Sequence, residues 1–406
     1  MARFTPADID ELREAVAEAL AAEEPLEIVG GGSKRALGRP VQAAHTLDLS
    51  RLSGIRDYAP SELVLTAGAG TPLAEIERVL AEHAQMLAFE PPGWCGLLGA
   101  DEVAPTLGGV LACNLSGPRR IKAGAARDHF LGFRAVSGRA EIFKAGGKVV
   151  KNVTGYDLPK LMAGSYGTLA TLEEVTVKVL PQPETVTTVL FAGIAPEAAG
   201  HLMAAALGSP HEVSAAAYLP SGTAMPLALP VRPGTVALRV EGPAPSVAFR
   251  RDKLLQEHKD GGEPSILAAS ESIAFWRAIG EVAPLSGLGE RAVWRLSVAP
   301  ARGVAIGAAL ARRLDAIWFL DWGGGLLWLA TAEQDDAGAA VIRAAIRGDD
   351  GQGTGHATLI KGSPALRRAV PVFEPQPASL AALSRRVKDA FDPRHILNPG
   401  RVVEGS

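Results

Sequence analysis

A short apolar segment near the N-terminus is followed by residues that could bind an anion. Leu26–Val29 is predicted to be a strand, and Gly30–Lys34 comes directly after it. A glycine-rich turn after a strand presents several backbone N–H groups to one point, and Lys34 and Arg35 add positive charge. We therefore predict a phosphate site here, with a flexible turn carrying solvated cations as the alternative. A Walker A site is not predicted, because the G-x-x-x-x-G-K-[ST] spacing is absent.

Small residues in two further segments could let a backbone or a planar ring approach closely. Within Thr106–Asn114, two glycines and an alanine would form a face with little side chain. Within Asn152–Pro181, a polar turn and a short helix precede two glycines, which are followed by an alternating strand, Leu169–Leu180. Glycine lacks a Cβ atom, so both segments could pack on a flat ligand. A plain connection between a helix and a strand is the alternative for the second segment.

A dinucleotide-binding fold is disfavoured, although one segment resembles its fingerprint. Gly68-Ala69-Gly70 follows a predicted strand, Leu63–Ala67, and a helix is predicted from Pro72 to about His83. The third glycine position is Leu73, and the preceding strands come without crossover helices.

Composition excludes several classes of function. The chain has 406 residues, which predicts two or three domains, and a net charge of −3 argues against a nucleic-acid partner. Two cysteines, Cys95 and Cys113, are too few for an iron–sulfur cluster, and the eight histidines show no metal-binding spacing, so no metal site is expected. The N-terminus does not read as a signal peptide, and the longest uncharged run, Val213–Val231, contains three prolines. We expect no transmembrane segment and a cytoplasmic location, with peripheral membrane association through a partner left open.

The remaining pattern predicts the elements that must position these residues. Residues 6–22 form an amphipathic helix, Phe130–Val136 a strand, and Glu141–Lys144 with Val149–Val150 a hairpin. From about Glu184, alternating strands and helices predict an α+β domain. Its predicted strands are Val186–Phe191, Val213–Tyr218, Thr235–Glu241, Ala292–Val298 and Leu326–Ala330. Its predicted helices are Pro196–Ala206, Pro245–Glu257, Ser272–Ile279, Val304–Arg313 and Ala337–Arg347, and the helix Leu380–Phe391 returns the chain to the first domain.

Taken in order and at their spacings, the motifs resemble the FAD-binding proteins of the vanillyl-alcohol-oxidase (p-cresol methylhydroxylase) superfamily. Within it, the chain looks most like the smaller FAD-type subunits of bacterial glycolate oxidases, and the resemblance covers nearly the whole chain. The motifs that carry it are Gly30–Lys34, Gly68–Leu73, Thr106–Asn114, Arg127–Asp128, Asn152–Pro181, Trp294–Ser297, Asp321–Gly324, Gly355–Thr358 and Phe391–Arg401. The resemblance implies an α+β fold with a two-lobed FAD-binding domain over 1–183, an α+β cap domain over 184–389 and a C-terminal return onto the FAD site over 390–406.

The resemblance also implies which residues contact the flavin. The glycine loop would hold the diphosphate, the Thr106–Asn114 segment would run along the diphosphate and the isoalloxazine, and Arg127 could counter phosphate charge. Asn398 could hydrogen-bond the ring edge, and a cation at Arg401 would stabilise anionic reduced flavin. The full set of expected FAD-binding residues is Gly30, Gly31, Gly32, Ser33, Lys34, Thr106, Gly108, Gly109, Ala112, Asn114, Arg127, Asp128, Gly164, Gly167, Thr168, Leu172, Asn398 and Arg401.

Non-covalent FAD is expected. Some relatives carry a histidine in the glycine loop that bonds to the flavin, and here Gly32-Ser33-Lys34 has none. A thioether to Cys95 or Cys113 is the alternative, and a small buried residue is the simpler interpretation of Cys113.

Oxidation of a hydroxy acid needs a base for the hydroxyl proton and a cation for the carboxylate. His129 and His356 are the candidate bases, and the candidate cations are Arg239, Arg277, Arg295 and Lys361. Of these, His129, Arg295 and His356 are retained as catalytic candidates. Each has a structural alternative: a solvated strand face for Arg239 and Arg295, a turn for His356 and a strand cap for His129.

The resemblance implies a subunit of a complex that oxidises glycolate to glyoxylate. In such complexes a larger FAD-type subunit usually oxidises the substrate and an iron–sulfur subunit carries electrons onward. The expected role is therefore electron transfer or an accessory function beside those two partners. Two alternatives stay open, a free-standing FAD-dependent oxidase of another small alcohol or 2-hydroxy acid and a flavin-free structural subunit.

Overall fold

The computed structural model describes residues 2–100, 103–147, 155–348 and 353–403. Its strands are β1 Arg3–Phe4, β2 Leu26–Val29, β3 His45–Asp48, β4 Ile55–Ala59, β5 Val64–Gly68, β6 Gln85–Met86, β7 Phe130–Ser137, β8 Ile142–Gly146, β9 Ala170–Lys178, β10 Leu180–Pro181, β11 Thr185–Ala192, β12 Ala215–Leu219, β13 Thr235–Gly242, β14 Glu263–Leu267, β15 Ala292–Ser297, β16 Ile317–Asp321, β17 Leu326–Thr331 and β18 His356–Lys361. Its helices are α1 Ile9–Ala22, α2 Leu73–Ala81, α3 Cys95–Leu98, α4 Leu107–Cys113, α5 Arg120–Ala123, α6 Ala126–His129, α7 Leu158–Met162, α8 Pro196–Gly208, α9 Ala244–Glu257, α10 Ala269–Gly280, α11 Pro300–Leu314, α12 Ala339–Arg347, α13 Pro364–Ala369 and α14 Ala378–Phe391.

The chain divides into two compact units. The first comprises the described residues of Met1–Ser116, Gly124–Gln182 and Pro375–Ser406, and the second those of Gly117–Ala123 and Pro183–Glu374. The division next to residue 183 lies beside the predicted domain boundary. The C-terminal segment joins the first unit at Pro375 rather than at 390, so α14 belongs to that unit.

The first unit contains two larger sheets and a small antiparallel pair, β10-β6. One larger sheet is three-stranded and parallel, in the order β1-β3-β2, and the other is five-stranded and antiparallel, in the order β4-β5-β9-β7-β8. Helix α1 begins after Asp8, whose carboxylate accepts hydrogen bonds from the N–H groups of Asp10 and Glu11 at 3.0 and 2.9 Å. Its buried face joins both sheets in one apolar cluster, which includes Leu12, Val16, Leu26, Leu47, Val136 and Leu397.

The second unit is built on an eight-stranded antiparallel sheet in the order β14-β11-β13-β12-β16-β17-β15-β18. Its core combines alternate residues of these strands with the apolar faces of the helices, and contains Phe191, Tyr218, Trp294 and Trp318. The predicted mixture of helix and sheet is therefore observed.

Several local predictions differ from the structure. Strands β14, β16 and β18 were not predicted, so His356 opens a strand instead of lying in a glycine-rich loop. Segment 107–113 is helical despite its two glycines. The predicted second hairpin strand, Val149–Val150, and the first three residues of the predicted polar turn Asn152–Tyr156 lie outside the described residues.

Candidate functional site

A cavity in the first unit brings together most of the residues predicted to bind a cofactor. The predicted residues that line it are Gly30, Gly31, Gly32, Ser33, Lys34, Thr106, Gly108, Gly109, Ala112, Gly167, Leu172, Asn398 and Arg401. Arg35, which was expected to add positive charge at the phosphate site, and Cys113, the alternative site of a covalent bond, line it as well. The cavity is also lined by residues that the sequence did not single out for it, which are Ile28, Val29, Leu49, Ala69, Ser165, Tyr166 and Ala170.

The glycine loop after β2 forms one wall of the cavity. The backbone N–H groups of Gly31, Gly32 and Ser33 donate to no acceptor in the part of the chain that the structure describes. The ammonium of Lys34 is buried beside them and donates to Oγ of Ser33 at 3.0 Å and to the carbonyl of Gly93 at 3.1 Å. Consecutive unsatisfied N–H groups next to a buried cation are what an anion requires.

Glycine is required at the loop because neighbouring backbone and side chains leave no room for a Cβ atom. A Cβ on Gly31 would lie 1.7 Å from the carbonyl oxygen of Ala104, and one on Gly30 would lie 2.6 Å from Oγ1 of Thr106. The loop is thereby held against the segment that precedes α4.

Helix α4 forms the second wall. It begins after Thr106, whose Oγ1 accepts from the N–H of Gly109 at 3.3 Å. Gly108 packs on Ala69, since a Cβ on Gly108 would lie 2.7 Å from both the Cβ and the carbonyl oxygen of Ala69. A Cβ on Gly109 would instead lie 3.2 Å from Oγ1 of Thr106 and 4.0 Å from Cδ of Lys34.

The C-terminal return forms the third wall, and Asn398 hydrogen-bonds it to β2, which precedes the glycine loop, and to Tyr166. Leu26 donates to the carbonyl of Ile396 at 2.7 Å, and the N–H of Asn398 donates to the carbonyl of Leu26 at 2.9 Å. In its side chain, Oδ1 accepts from the N–H of Ile28 at 2.9 Å and Nδ2 donates to the carbonyl of Tyr166 at 2.8 Å. Both side-chain polar atoms of Asn398 are therefore committed to backbone groups, in contrast to the expected bond with a ring edge.

Arg401 is a buried cation whose hydrogen-bonding capacity is incompletely used. Nη1 donates to the carbonyl of Leu37 at 2.9 Å, and Nη2 lies 3.5 Å from the carboxylate of Glu27. Nε is buried and has no hydrogen-bond partner among the described residues. Burial lowers the pKa of Arg401 from its ordinary value and raises the pKa of the Cys113 thiol, which also lines the cavity, to about 11.

Five predicted residues brace the walls instead of lining the cavity. Asn114 ends α4 in the left-handed region and its Oδ1 accepts from the N–H of Arg127 at 3.1 Å. Asp128 accepts from the N–H of Ala125 at 2.9 Å, and Thr168 donates from Oγ1 to the carbonyl of Ser165 at 2.7 Å. Gly164 packs beside Asn114, and the side chain of Arg127 is half exposed.

The three catalytic candidates do not lie in one unit. His129 is buried in the first unit, where Nδ1 lies 3.3 Å from the carbonyl oxygen of Lys178 and the ring packs on Phe89, and it does not line the cavity. Arg295 and His356 belong to the second unit, on the paired strands β15 and β18.

Arg295 and His356 lie in a basic cluster of the second unit. The guanidinium carbons of Arg120 and Arg295 lie 4.2 and 5.1 Å from the ring centroid of Trp322. Partial desolvation, with the charges of Arg295 and Arg120, lowers the pKa of His356 from its ordinary value, so the imidazole is neutral at neutral pH. Arg120 was not a sequence candidate, and the available signal was the pair of adjacent arginines, Arg119-Arg120, after Gly117-Pro118.

Two of the other candidate cations, Arg239 and Lys361, have structural partners. The predicted solvated face is wrong for Arg239, which is 2% exposed, donates to Oγ of Ser214 at 3.1 Å and lies 3.6 Å from Glu241. Lys361 donates to the carbonyl of Gly289 at 2.9 Å, and Arg277 is exposed on α10.

The cavity fits the FAD implied by the resemblance. Three unsatisfied N–H groups and two buried cations, Lys34 and Arg401, suit a diphosphate, and the glycine face of α4 together with Leu172 suits a planar ring. No group of three or more His, Cys, Asp or Glu side chains placed to hold a metal ion occurs within the described ranges. In the same ranges, no helix is both long and apolar enough to span a membrane.

Comparison with known proteins gives three findings. Residues 2–146 match the model of a FAD binding domain family. The chain is 34% identical to glycolate oxidase subunit GlcE of Escherichia coli strain K12, and the match covers 96% of both chains. It is 44% identical to glycolate oxidase subunit GlcD of Bacillus subtilis strain 168 over 85 residues, which are 21% of this chain and 18% of that one. The structure of p-cresol methylhydroxylase with bound substrate superposes with a TM-score of 0.73 at 13% identity, covering 99% of this chain and 88% of the other. The predicted fold class is confirmed.

Proposed function

Because the chain belongs to the family of the glycolate oxidase subunit GlcE, we propose that it is an FAD-dependent oxidoreductase subunit of a complex that oxidises glycolate to glyoxylate. The family resemblance predicted from the sequence motifs is thereby confirmed. The cavity in the first unit carries the proposal, because it combines an unsatisfied N–H nest with two buried cations.

FAD binds in this cavity without a covalent bond. Lys34 and Arg401 offset the charge of the diphosphate, and the N–H groups of Gly31, Gly32 and Ser33 donate to its oxygens. The thiol of Cys113 stays protonated because burial raises its pKa to about 11, which disfavours it as a nucleophile. When bound, FAD supplies the acceptor for the electrons of the oxidation.

The complex contains a larger FAD-type subunit and an iron–sulfur subunit. GlcE and GlcD are both glycolate oxidase subunits, and the similarity to GlcD supports a common cofactor fold for the two. This chain has two cysteines, so it cannot supply four thiolates for a cluster. We propose that it transfers electrons or acts as an accessory subunit in the cytoplasm, with contact to a membrane through partners.

A second role, oxidation of the substrate by this chain itself, is favoured by the basic cluster of Arg120, Arg295 and His356. Two guanidinium groups suit a carboxylate, and a neutral imidazole with a lowered pKa can accept a hydroxyl proton. Because its pKa is lowered, His356 would remain unprotonated, and so able to act as a base, at a lower pH than an ordinary histidine.

The visible spectrum of the purified chain tests the first proposal. We expect a flavin band that is released by acid precipitation, persists in anaerobic glycolate and bleaches when the partner subunits are added. Bleaching of the isolated chain at a rate comparable to the complex would favour a free-standing oxidase. A chain that takes up no added FAD would be a structural subunit.

Two variants test the second role. Arg295→Met and His356→Gln should each slow glycolate-dependent flavin reduction by at least tenfold if the cluster binds the substrate. Lys361→Met on the same strand is the control, because its ammonium donates to the carbonyl of Gly289. Unchanged reduction in both test variants would remove the cluster from the site.

A further inference from the structure

One buried ammonium connects two segments that adjoin the cavity, the 165–168 loop and the C-terminal return. Lys388 is the one buried side chain of α14, all of whose residues the structure describes. Its Nζ donates to the carbonyl of Thr168 at 2.8 Å, to Oδ2 of Asp392 at 2.6 Å and to the carbonyl of Leu397 at 3.1 Å. An ammonium has three donors, and all three are used.

Asp392 completes the connection from the other side. It is 0% exposed, and its Oδ1 and Oδ2 accept from the N–H groups of Ile396 and Leu397 at 3.1 and 2.8 Å. The carboxylate therefore folds residues 392–397 into a compact turn directly before Asn398. A Cβ on Gly138 would lie 2.3 Å from Oδ1, so the carboxylate is confined sterically as well.

The segments held by this pair adjoin the residues that line the cavity. Thr168 follows Gly167, and Leu397 precedes Asn398. A Cβ on Gly167 would lie 2.9 Å from Nδ2 of Asn398, so the two segments are in contact at the cavity itself. A shift of either segment would change the cavity wall.

We propose that Lys388 and Asp392 are positioning residues of the FAD cavity, which hold the 165–168 loop and the C-terminal return at the separation that FAD requires. The proposal rests on the proposed function insofar as FAD is the ligand. It assigns no contact between either residue and the cofactor. It predicts that loss of the pair loosens both segments together, because one ammonium holds both.

Removing a single partner would confound this test, because it leaves an uncompensated buried charge that destabilises the whole unit. The informative variant is the double substitution Lys388→Met with Asp392→Asn. It removes both charges and nearly keeps the volumes. The asparagine oxygen can accept from one of the N–H groups of Ile396 and Leu397. Methionine has no donor for the carbonyl of Thr168 or for that of Leu397.

The experiment compares the complete chain with this double variant and with two controls. Lys160→Met removes an exposed cation paired with Asp157 in the same unit, and Glu241→Gln perturbs a buried ion pair in the second unit. Each protein is stripped of FAD. We then measure its thermal midpoint and its hydrogen exchange. Tryptophan fluorescence gives its dissociation constant for added FAD.

We expect the double variant to fold, to exchange faster at both 165–168 and 396–401, and to bind FAD at least tenfold more weakly, with neither control showing these changes. Unchanged exchange at both segments, or an unchanged FAD dissociation constant in the folded variant, would overturn the proposal. If the unaltered chain itself bound no FAD, the proposed function would fail, and the exchange data would still decide whether the pair holds both segments.

Discussion

The Nδ2 atom of Asn398 donates a hydrogen bond of 2.8 Å to the carbonyl oxygen of Tyr166, and so joins two segments that are 232 residues apart in sequence. The Oδ1 atom of the same side chain accepts from Ile28 at 2.9 Å. The amide oxygen of Asn398 faces the N–H of Ile28, and its NH2 group faces the carbonyl of Tyr166. Only this orientation of the side-chain amide satisfies both backbone partners. Three segments that line the cavity meet at one side chain.

Asn398→Asp should therefore weaken FAD binding. The aspartate can still accept from Ile28, but its second oxygen would face the carbonyl of Tyr166, and two acceptors repel one another. We expect a stability loss of about 1–3 kcal/mol in the cofactor-free protein and at least a tenfold rise in the FAD dissociation constant. Asn114→Asp is the control, since Oδ1 of Asn114 accepts from Arg127 and an aspartate can do the same. Equal effects of both substitutions would contradict this reasoning.

Two adjacent glycines of α4 should respond differently to alanine. Gly109→Ala places a methyl group beside Lys34 at the cavity and 3.2 Å from Oγ1 of Thr106. The higher helix propensity of alanine, worth roughly 1 kcal/mol, offsets the strain of this close contact. Its cofactor-free melting temperature should change little while FAD binding weakens. Gly108→Ala places the methyl group 2.7 Å from Ala69 and should cost about 1–3 kcal/mol of stability. Thermal melts and FAD titration of the two proteins check this contrast, and a reversed order would refute the assigned orientations.

Arg401→Met should lower FAD affinity without lowering the stability of the cofactor-free protein. The buried guanidinium has an unpartnered Nε, so its removal relieves a desolvation cost, and Glu27 keeps its ion pair with Arg35. We expect about a tenfold weaker FAD complex, measured by fluorescence titration. Arg13→Met on the exposed face of α1 is the matched control. A large loss of stability in the cofactor-free Arg401→Met protein would show that the cation serves the fold.

The second unit should lose stability in acid through Glu241. Burial disfavours its charged form, but the charge of Arg239 and the hydrogen bond from Arg119 outweigh burial and lower the pKa of Glu241 from 4.5 to about 2. A carboxyl whose folded pKa is depressed stabilises the fold above its unfolded pKa, and that contribution is lost as the pH falls from about 4.5 to about 2. The pH-dependent contribution is on the order of 3 kcal/mol.

Glu241→Gln should accordingly show a flatter dependence of unfolding free energy on pH between about 5 and 2, and lower stability at pH 7 because Arg119 and Arg239 lose their counter-ion. Denaturant unfolding at several pH values measures both effects. Glu212→Gln, at an exposed pair with Lys122, should leave the profile unchanged. A parallel shift of the Glu241→Gln profile without flattening would exclude Glu241 as the titrating group.

The elements with strong local patterns were predictable. The glycine loop, the strand β2 before it and the helix α14 follow from residues within a few positions of each other. Helix α4 was not predicted, because two glycines lower its propensity and it forms through the Thr106 cap and the backbone bonds of Leu107 and Gly108 to Thr71 and Ala69. Strand β16 was not predicted, because its continuous apolar run fits a buried helix as well as a strand.

The sequence by itself determined that the chain carries a glycine loop suited to an anion, an α+β fold and the motifs of an FAD protein, because these properties reside in residue types and short spacings. The tertiary structure alone decided that Arg127 and Asp128 brace a wall, that Ser165 and Tyr166 line the cavity, and that Lys388 and Asn398 hold distant segments together. The physical reason is that the bonds of Lys388 and Asn398 join groups 220 and 232 residues apart in sequence, and that the cavity is lined by segments from distant parts of the chain. Local propensity contains no information about that pairing.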